Sequence, residues 1–116
     1  MLKLSKSDPN ILVTSSSTGF TGLPFNATYA MFKAALNNMV LSMQKEFLRD
    51  KIRINAINPG MVKTELSKSV FENVELDRYQ YGLPEDIAVY AGVICSESGR
   101  FMRGSCVLID GLYSRL

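Results

Sequence analysis

Phe32, Leu36, Met39, Val40, Met43 and Phe47 place apolar side chains at steps of three and four, with Asn37, Asn38, Gln44, Lys45 and Glu46 between them. That period predicts one long amphipathic helix over residues 27–49, its apolar face turned to a core. Asn26 or Thr28 supplies its cap. Ahead of the helix, ILVTSS from Ile11 is apolar and β-branched without alternation, the pattern of a parallel strand covered on both faces. The intervening STGFTGLPFN carries Gly19, Gly22 and Pro24, which predicts an irregular loop at the carboxyl end of that strand.

KIRINAI, with Ile52, Ile54 and Ile57, predicts a second strand, and Pro59 must end it because it has no N–H for a ladder. Residues 61–83 show no clear period. A short helix around Glu65 to Phe71 is expected there, followed by a polar, tyrosine-containing loop. In PEDIAVYAGVIC, Pro84 suits a first helical position and Glu85 and Asp86 suit the positive end of a helix running to Cys95. SCVLIDG then predicts a third strand closed by an Asp110-Gly111 turn. Met1 to Ser7, followed by SDPN, looks like the last turn of a preceding element. Strand, helix, strand, helix, strand is the order of an α/β fold with three parallel strands and crossover helices. Ligands gather at the carboxyl ends of such strands, which is where SSSTG, NPGMVKT and DG fall.

At 116 residues, 47% hydrophobic and 21% charged, the chain is at most one globular domain. Its 13 basic and 11 acidic residues are interspersed, so nothing tracks a phosphate backbone and nucleic acid is not an expected partner. The absence of histidine removes Ser-His-Asp chemistry, Cys-His pairs and most zinc sites. No metal site is expected. Cys95 and Cys106 have neither metal-ligand nor disulfide-framework spacing and are expected as buried thiols in a reducing compartment. No apolar run is long enough for a membrane span, and the amino terminus has too short an apolar segment for a secretory signal. A cytoplasmic location is expected.

Tyr29 and Lys33 stand four residues apart, one turn of a helix. Alone, the pair is an ordinary helical coincidence. With Ser16 thirteen residues before Tyr29 and three before Gly19, and with NAINPGMVKTEL after it, the chain resembles the carboxyl-terminal half of the short-chain dehydrogenase/reductase family. Tyr29-Ala-Met-Phe-Lys33 is similar to that family's Tyr-x-x-x-Lys signature, and Asn55 to Thr64 to its Asn-x-x-x-Pro-Gly-x-(Val/Ile)-x-Thr segment. ILVTSSSTG looks like its serine-bearing strand, and PEDIA with the final strand like its last helix and strand. The resemblance runs from about Ile11 to Gly111.

The resemblance implies a Rossmann-like doubly wound parallel sheet of which residues 1–116 supply the carboxyl-terminal half. It implies an NAD(P)-dependent oxidoreductase that transfers hydride between a nicotinamide and a carbonyl or alcohol substrate. Tyr29 would be the proton donor or acceptor, Ser16 would hold the substrate oxygen, and Lys33 would favour the phenolate and bond the nicotinamide ribose. A free tyrosine titrates near ~10, so a neighbouring cation is what such chemistry asks for. Pro59, Gly60 and Met61 would lie along the nicotinamide, with Val62 offering backbone groups to its carboxamide and Thr64 a hydroxyl. Ser15 and Ser17 are expected to serve the local backbone as turn serines, and Asp110-Gly111 only to turn the chain. Phe20, Phe25 and Phe71 hint at an apolar substrate surface, and the loop FTGLPF and the region Leu66 to Tyr81 would border the pocket.

The family's front half has no counterpart in these residues. No strand is followed by a Gly-rich phosphate loop, and STGFTG follows the wrong strand. No residue that selects NAD or NADP is identified, nor a counterpart of the family's upstream asparagine. The 116 residues alone are therefore expected to be inactive. A second reading is a catalytically silent, truncated product that pairs with a full-length relative or with itself through the long helix or an uncovered strand edge.

Overall fold

The structure, a computed structural model, describes residues 9–76 and 80–111. The expected turn at Met1–Ser7, the middle of the tyrosine-containing loop at 77–79 and the residues after Gly111 lie outside the described residues. Three strands, β1 (Asn10–Thr14), β2 (Arg53–Pro59) and β3 (Cys106–Ile109), form a parallel sheet in the order β1-β2-β3. Between them run α1 (Thr18–Thr21), α2 (Ala27–Phe47), α3 (Lys68–Asn73) and α4 (Pro84–Cys95). The expected three-stranded α/β arrangement is what the chain adopts.

β2 is the spine. Its residues from Arg53 to Asn58 are all buried, because strands flank both edges and helices cover both faces. Ile54 and Ala56 meet Val40 of α2, with Val13, Met43, Phe47 and Cys106 packed around them. The opposite face of the strand meets α4. There Arg53, fully buried, donates from Nη1 to the carbonyls of Ile94 at 2.9 Å and Gly99 at 3.0 Å, serving chain that has no further helical turn to bond it.

The inward face of α2 differs from the expected one. Phe32 is 63% exposed and Met39 is also exposed, whereas Asn37 and Gln44 are buried. Gln44 faces inward because its amide bridges to β2: Oε1 accepts from the Ile54 amide at 2.8 Å and Nε2 donates to the Ile52 carbonyl at 3.2 Å. A polar group whose hydrogen bonds are replaced inside loses little by burial. Asn37 lies under Gly19, whose position admits no side chain: a Cβ there would come within 2.8 Å of the Lys33 carbonyl carbon.

Other boundaries moved for local reasons. Residues 18–21, expected to be irregular, form the single turn α1, with Gly22 N–H bonded to the Thr18 carbonyl and Gly22 at φ 77°. α2 stops at Phe47 rather than Arg49, and the short helix lies at Lys68–Asn73 rather than Glu65–Phe71. α4 begins at Pro84, where the Asp86 carboxylate accepts from the Leu83 amide at 2.7 Å. Cys95, at the end of α4, and Cys106, at the start of β3, are free and half-buried, not fully buried as expected. Gly111, at φ 55°, makes the expected turn after β3. Among the described residues, no helix is long and apolar enough to cross a membrane.

Candidate active site

The carboxyl ends of the three strands lie along one edge of the sheet, in register. Thr14 pairs with Ile57 and Pro59 with Ile109. Past the strands the ladder continues: Ser17 N–H donates to the Pro59 carbonyl at 2.9 Å and Gly60 N–H to the Ile109 carbonyl at 2.9 Å. Pro59 thus ends the strand as a proline must, while its carbonyl still holds the serine-bearing turn. A Cβ at Gly60 would fall 2.7 Å from that of Asp110, so only glycine lets β2 and β3 close here.

Tyr29 is fixed by the start of α2. Asn26 is the cap, its Oδ1 accepting from the Tyr29 amide at 3.2 Å, which settles the choice left open between Asn26 and Thr28. One turn later the Lys33 ammonium lies 5.5 Å from the centre of the Tyr29 ring, within cation–π range. The same ammonium donates to the Thr14 carbonyl at the end of β1, at 3.2 Å. Tyr29 keeps 40% of its surface exposed, so it is open to a ligand.

Ser16 is buried at the turn after β1. Its Oγ accepts from the Thr18 amide at 3.2 Å and the Thr18 hydroxyl at 3.0 Å. Both bonds are accepted, which leaves the Ser16 proton available to an oxygen brought alongside. Ser15 departs from the expected local role: its Oγ donates to the Lys33 carbonyl, eighteen residues away, at 2.9 Å. Ser17 works through its backbone, accepting from Phe20 and Thr21 amides to start α1.

Ser16, Tyr29, Lys33, Pro59, Gly60, Met61, Val62 and Thr64 all line one open cleft of about 550 Å³. The segments expected to border the pocket supply Leu23, Leu66 and Ser67, and sequence reasoning missed Pro84 and Ile87, which complete its walls. Phe20, Phe25 and Phe71, the expected apolar surface, are absent from it. Phe25 points wholly into solvent, and Phe71 packs edge-on against Tyr81 with ring centres 5.0 Å apart. A larger depression of about 660 Å³ lies across Met61 and Val62, against Tyr81, Tyr90 and Asp110. None of Ser16, Tyr29 and Lys33 reaches it, so those three side chains belong to the first cleft. No group of three or more potential metal ligands occurs among the described residues.

The cleft suits the nicotinamide end of a dinucleotide. It offers a hydroxyl at Ser16, a phenol at Tyr29, an ammonium at Lys33 and the Val62–Thr64 segment as hydrogen-bonding groups, with Met61, Leu66 and Ile87 as apolar walls. Among the described residues it offers no glycine-rich strand-to-helix turn for a pyrophosphate: α1, the turn after β1, has four residues.

Residues 1–114 match the family model described as enoyl-(acyl carrier protein) reductase. A tropinone reductase homolog of Arabidopsis thaliana is 30% identical over an alignment of 110 residues that covers 88% of this chain and 42% of the relative. A 3-oxoacyl-(acyl-carrier-protein) reductase of Chlamydia trachomatis is 30% identical over 107 residues, 87% of this chain and 43% of the relative. A solved 4-hydroxyisoleucine dehydrogenase complexed with NADH superposes with a TM-score of 0.78 at 34% identity, over 92% of this chain and 47% of that one. The chain spans less than half the length of these relatives. With its parallel Rossmann-like sheet and its match to these reductases and dehydrogenases, the chain belongs to the short-chain dehydrogenase/reductase family.

Proposed function

We propose that the chain is part of an NAD(P)-dependent oxidoreductase acting on a carbonyl or alcohol, and that its cleft holds the reacting end of cofactor and substrate. The observation that carries this reading is the meeting of Ser16, Tyr29 and Lys33 with the Pro59–Thr64 turn in one cleft. When bound, the nicotinamide supplies or accepts the hydride. The protein moves the proton: the Tyr29 phenol donates to the substrate oxygen in reduction and recovers the proton in oxidation. Ser16 donates its free hydroxyl proton as a hydrogen bond to the same oxygen, and Lys33 stabilises negative charge on Tyr29 and bonds the ribose. Met61, Leu66 and Ile87 exclude water from one side.

Dinucleotide affinity of the 116 residues is weak in this reading, because the described residues supply the nicotinamide end and no phosphate turn. NMR titration of the folded chain with NADH and with nicotinamide mononucleotide tests it. Signals of Tyr29, Lys33 and Val62–Thr64 should move, and Tyr29→Phe with Lys33→Met should abolish or redirect the shifts. No movement with either ligand at about 10 mM, a concentration that still reads weak sites, would sink the proposal.

The alternative is a non-catalytic role, in which the chain pairs with a copy of itself or with a full-length relative. It is favoured by one observation: β1 is an edge strand, and α2 presents Met31, Phe32 and Leu41 to solvent. Sedimentation of the chain across a concentration series separates a self-associating species from a monomer. A cytoplasmic location accompanies both readings.

A further inference from the structure

Ser67 lies outside every motif legible in the sequence. It occupies the capping position of α3, yet its side chain makes no capping bond to that helix. It turns back instead. Its Oγ is 2.6 Å from the Val62 carbonyl oxygen, 2.9 Å from the Thr64 amide nitrogen, 3.1 Å from the Thr64 carbonyl oxygen and 3.3 Å from the Thr64 hydroxyl. A hydroxyl carries one proton and two acceptor positions. The shortest contact marks the bond it donates, to Val62, while the Thr64 amide fills one acceptor position and the Thr64 hydroxyl lies near the other. One side chain thereby cross-links both ends of the segment 62–64.

The opposite side of that segment is tied down by main chain: Lys63 N–H donates to the Gly82 carbonyl and Gly82 N–H to the Met61 carbonyl, both at 2.9 Å. The turn also carries backbone bonds from Ser67 N–H to the Thr64 carbonyl at 3.2 Å and from Lys68 N–H to the Glu65 carbonyl at 3.3 Å, and a Lys68–Glu65 ion pair at 3.4 Å whose side chains are 60% and 88% exposed. Exposed pairs of that kind order little. The Ser67 hydroxyl, part-buried against Val62, is the stronger tie.

We propose that Ser67 is a positioning residue for cofactor binding, its hydroxyl holding the Val62 amide and the Thr64 hydroxyl ready at the cleft wall for a planar carboxamide. This rests on the nicotinamide reading given above. It also bears on the expected role of Val62: one lone pair of its carbonyl is held by Ser67, which fixes the peptide plane, and its amide N–H is the donor it can offer, whose complement is the carboxamide oxygen. Ordering the segment before the ligand arrives removes a cost that binding would otherwise carry.

The test uses the full chain and its Ser67→Ala, Ser67→Thr and Lys68→Ala variants, read by amide hydrogen exchange at Thr64 and by titration with nicotinamide mononucleotide. Ser67→Ala is expected to speed Thr64 exchange and weaken nucleotide binding, each by about tenfold, with exchange in β2 unchanged. Ser67→Thr, which keeps the hydroxyl, should stay within about twofold of the parent in both readouts, and Lys68→Ala should leave both unchanged. Unchanged Thr64 exchange in Ser67→Ala overturns the proposal, as does unchanged affinity beside faster exchange. A parent chain that is folded yet binds no nucleotide overturns the nicotinamide reading itself, and the role of Ser67 toward a cofactor falls with it. That failure is distinguishable because it appears in the parent before any variant is compared.

Discussion

The Ser15 hydroxyl donates to the Lys33 carbonyl at 2.9 Å, joining the end of β1 to the middle of the second turn of α2. Ser15 is buried, and it immediately precedes the serine whose hydroxyl faces the cleft. The bond therefore sets how far Ser16 stands from Tyr29 and Lys33. Ser15→Ala should cost about 1 kcal/mol, the usual net worth of a bond whose buried acceptor keeps its helical partner. Ser16→Ala should cost less, since Ser16 accepts only from its neighbour Thr18. Urea denaturation of the two variants checks the order, and equal losses would deny Ser15 its cross-linking role.

Gly19 controls the same approach from the other side. A Cβ there would meet the Lys33 carbonyl carbon at 2.8 Å, the Ala34 amide at 3.0 Å and the Asn37 amide at 3.0 Å. Two of those atoms are main chain and cannot swing aside. Gly19→Ala should lose roughly 1–3 kcal/mol, as overpacking does, although alanine is the better helix former. Calorimetry reads the result directly; a gain in melting temperature would mean that α1 and α2 can separate freely.

What the sequence disclosed and what it hid divide along physical lines. Tyr29, Lys33 and a cap at Asn26 or Thr28 were legible because their relationships are local, fixed by helical geometry once the helix is recognised. Pro59 and Pro84 were legible because proline restricts its own position. The partners of Ser15, Arg53 and Ser67 were not, since each is set by where a distant or irregular segment comes to rest. The face of α2 was misread at Phe32, Asn37 and Gln44; at Gln44 this is because hydropathy counts the cost of leaving water but not the bonds it finds at Ile52 and Ile54, whereas the buried Asn37 amide has no such bonds. Residues 61–83 gave no period because side chains and one bridge organise them: Val62 pairs with Gly82, and the Lys63 ammonium lies 5.7 Å and 5.8 Å from the ring centres of Phe71 and Tyr81.

Arg53 holds the far end of α4 from within the core. Its guanidinium reaches the Ile94 and Gly99 carbonyls at once, with the Ser96 carbonyl at 3.5 Å. Arg53→Met keeps the volume and should cost roughly 3 kcal/mol or more, because buried carbonyls lose charge-assisted bonds. On a total stability of ~5–15 kcal/mol that is a large shift in the urea midpoint. Arg53→Lys should recover only a minor part, since an ammonium lacks the planar fork. Full recovery by lysine would show that charge alone, rather than two directed bonds, secures α4.

Burial raises the Cys106 thiol above its ordinary value of 9.0. Its thiolate is therefore scarcer in the folded chain than in the unfolded one at the same pH. Alkylation of Cys106 by iodoacetamide at pH 8 should be slower in the native chain than in urea, and the gap should narrow as pH climbs above 9. The same sign governs stability. The neutral thiol is favoured by folding, so its contribution is complete below the unfolded value and is lost as pH rises through the higher folded one. Peptide mass spectrometry after timed labelling decides; native labelling as fast as in urea would contradict it.

Asn55 and Asn58 offer a test of opposite signs within one strand. Both are fully buried in β2. The Asn55 amide donates to the Met102 carbonyl at 2.9 Å and its carbonyl accepts from the Ser105 amide at 2.9 Å, so it anchors the chain entering β3. The Asn58 amide makes no hydrogen bond through either atom. Two residues beyond Ala56, it faces the α2 side by the period of a strand. Replacing a bonded buried amide strands its partners, whereas replacing an unbonded one removes a desolvation cost of ~1–3 kcal/mol. Asn55→Leu should therefore lose about 2 kcal/mol or more, and Asn58→Leu, with the same branching and heavy-atom count, should be neutral or gain about 1 kcal/mol. Parallel urea melts of the two variants give the comparison. A loss at position 58 matching that at 55 would mean both amides are held by comparable bonds.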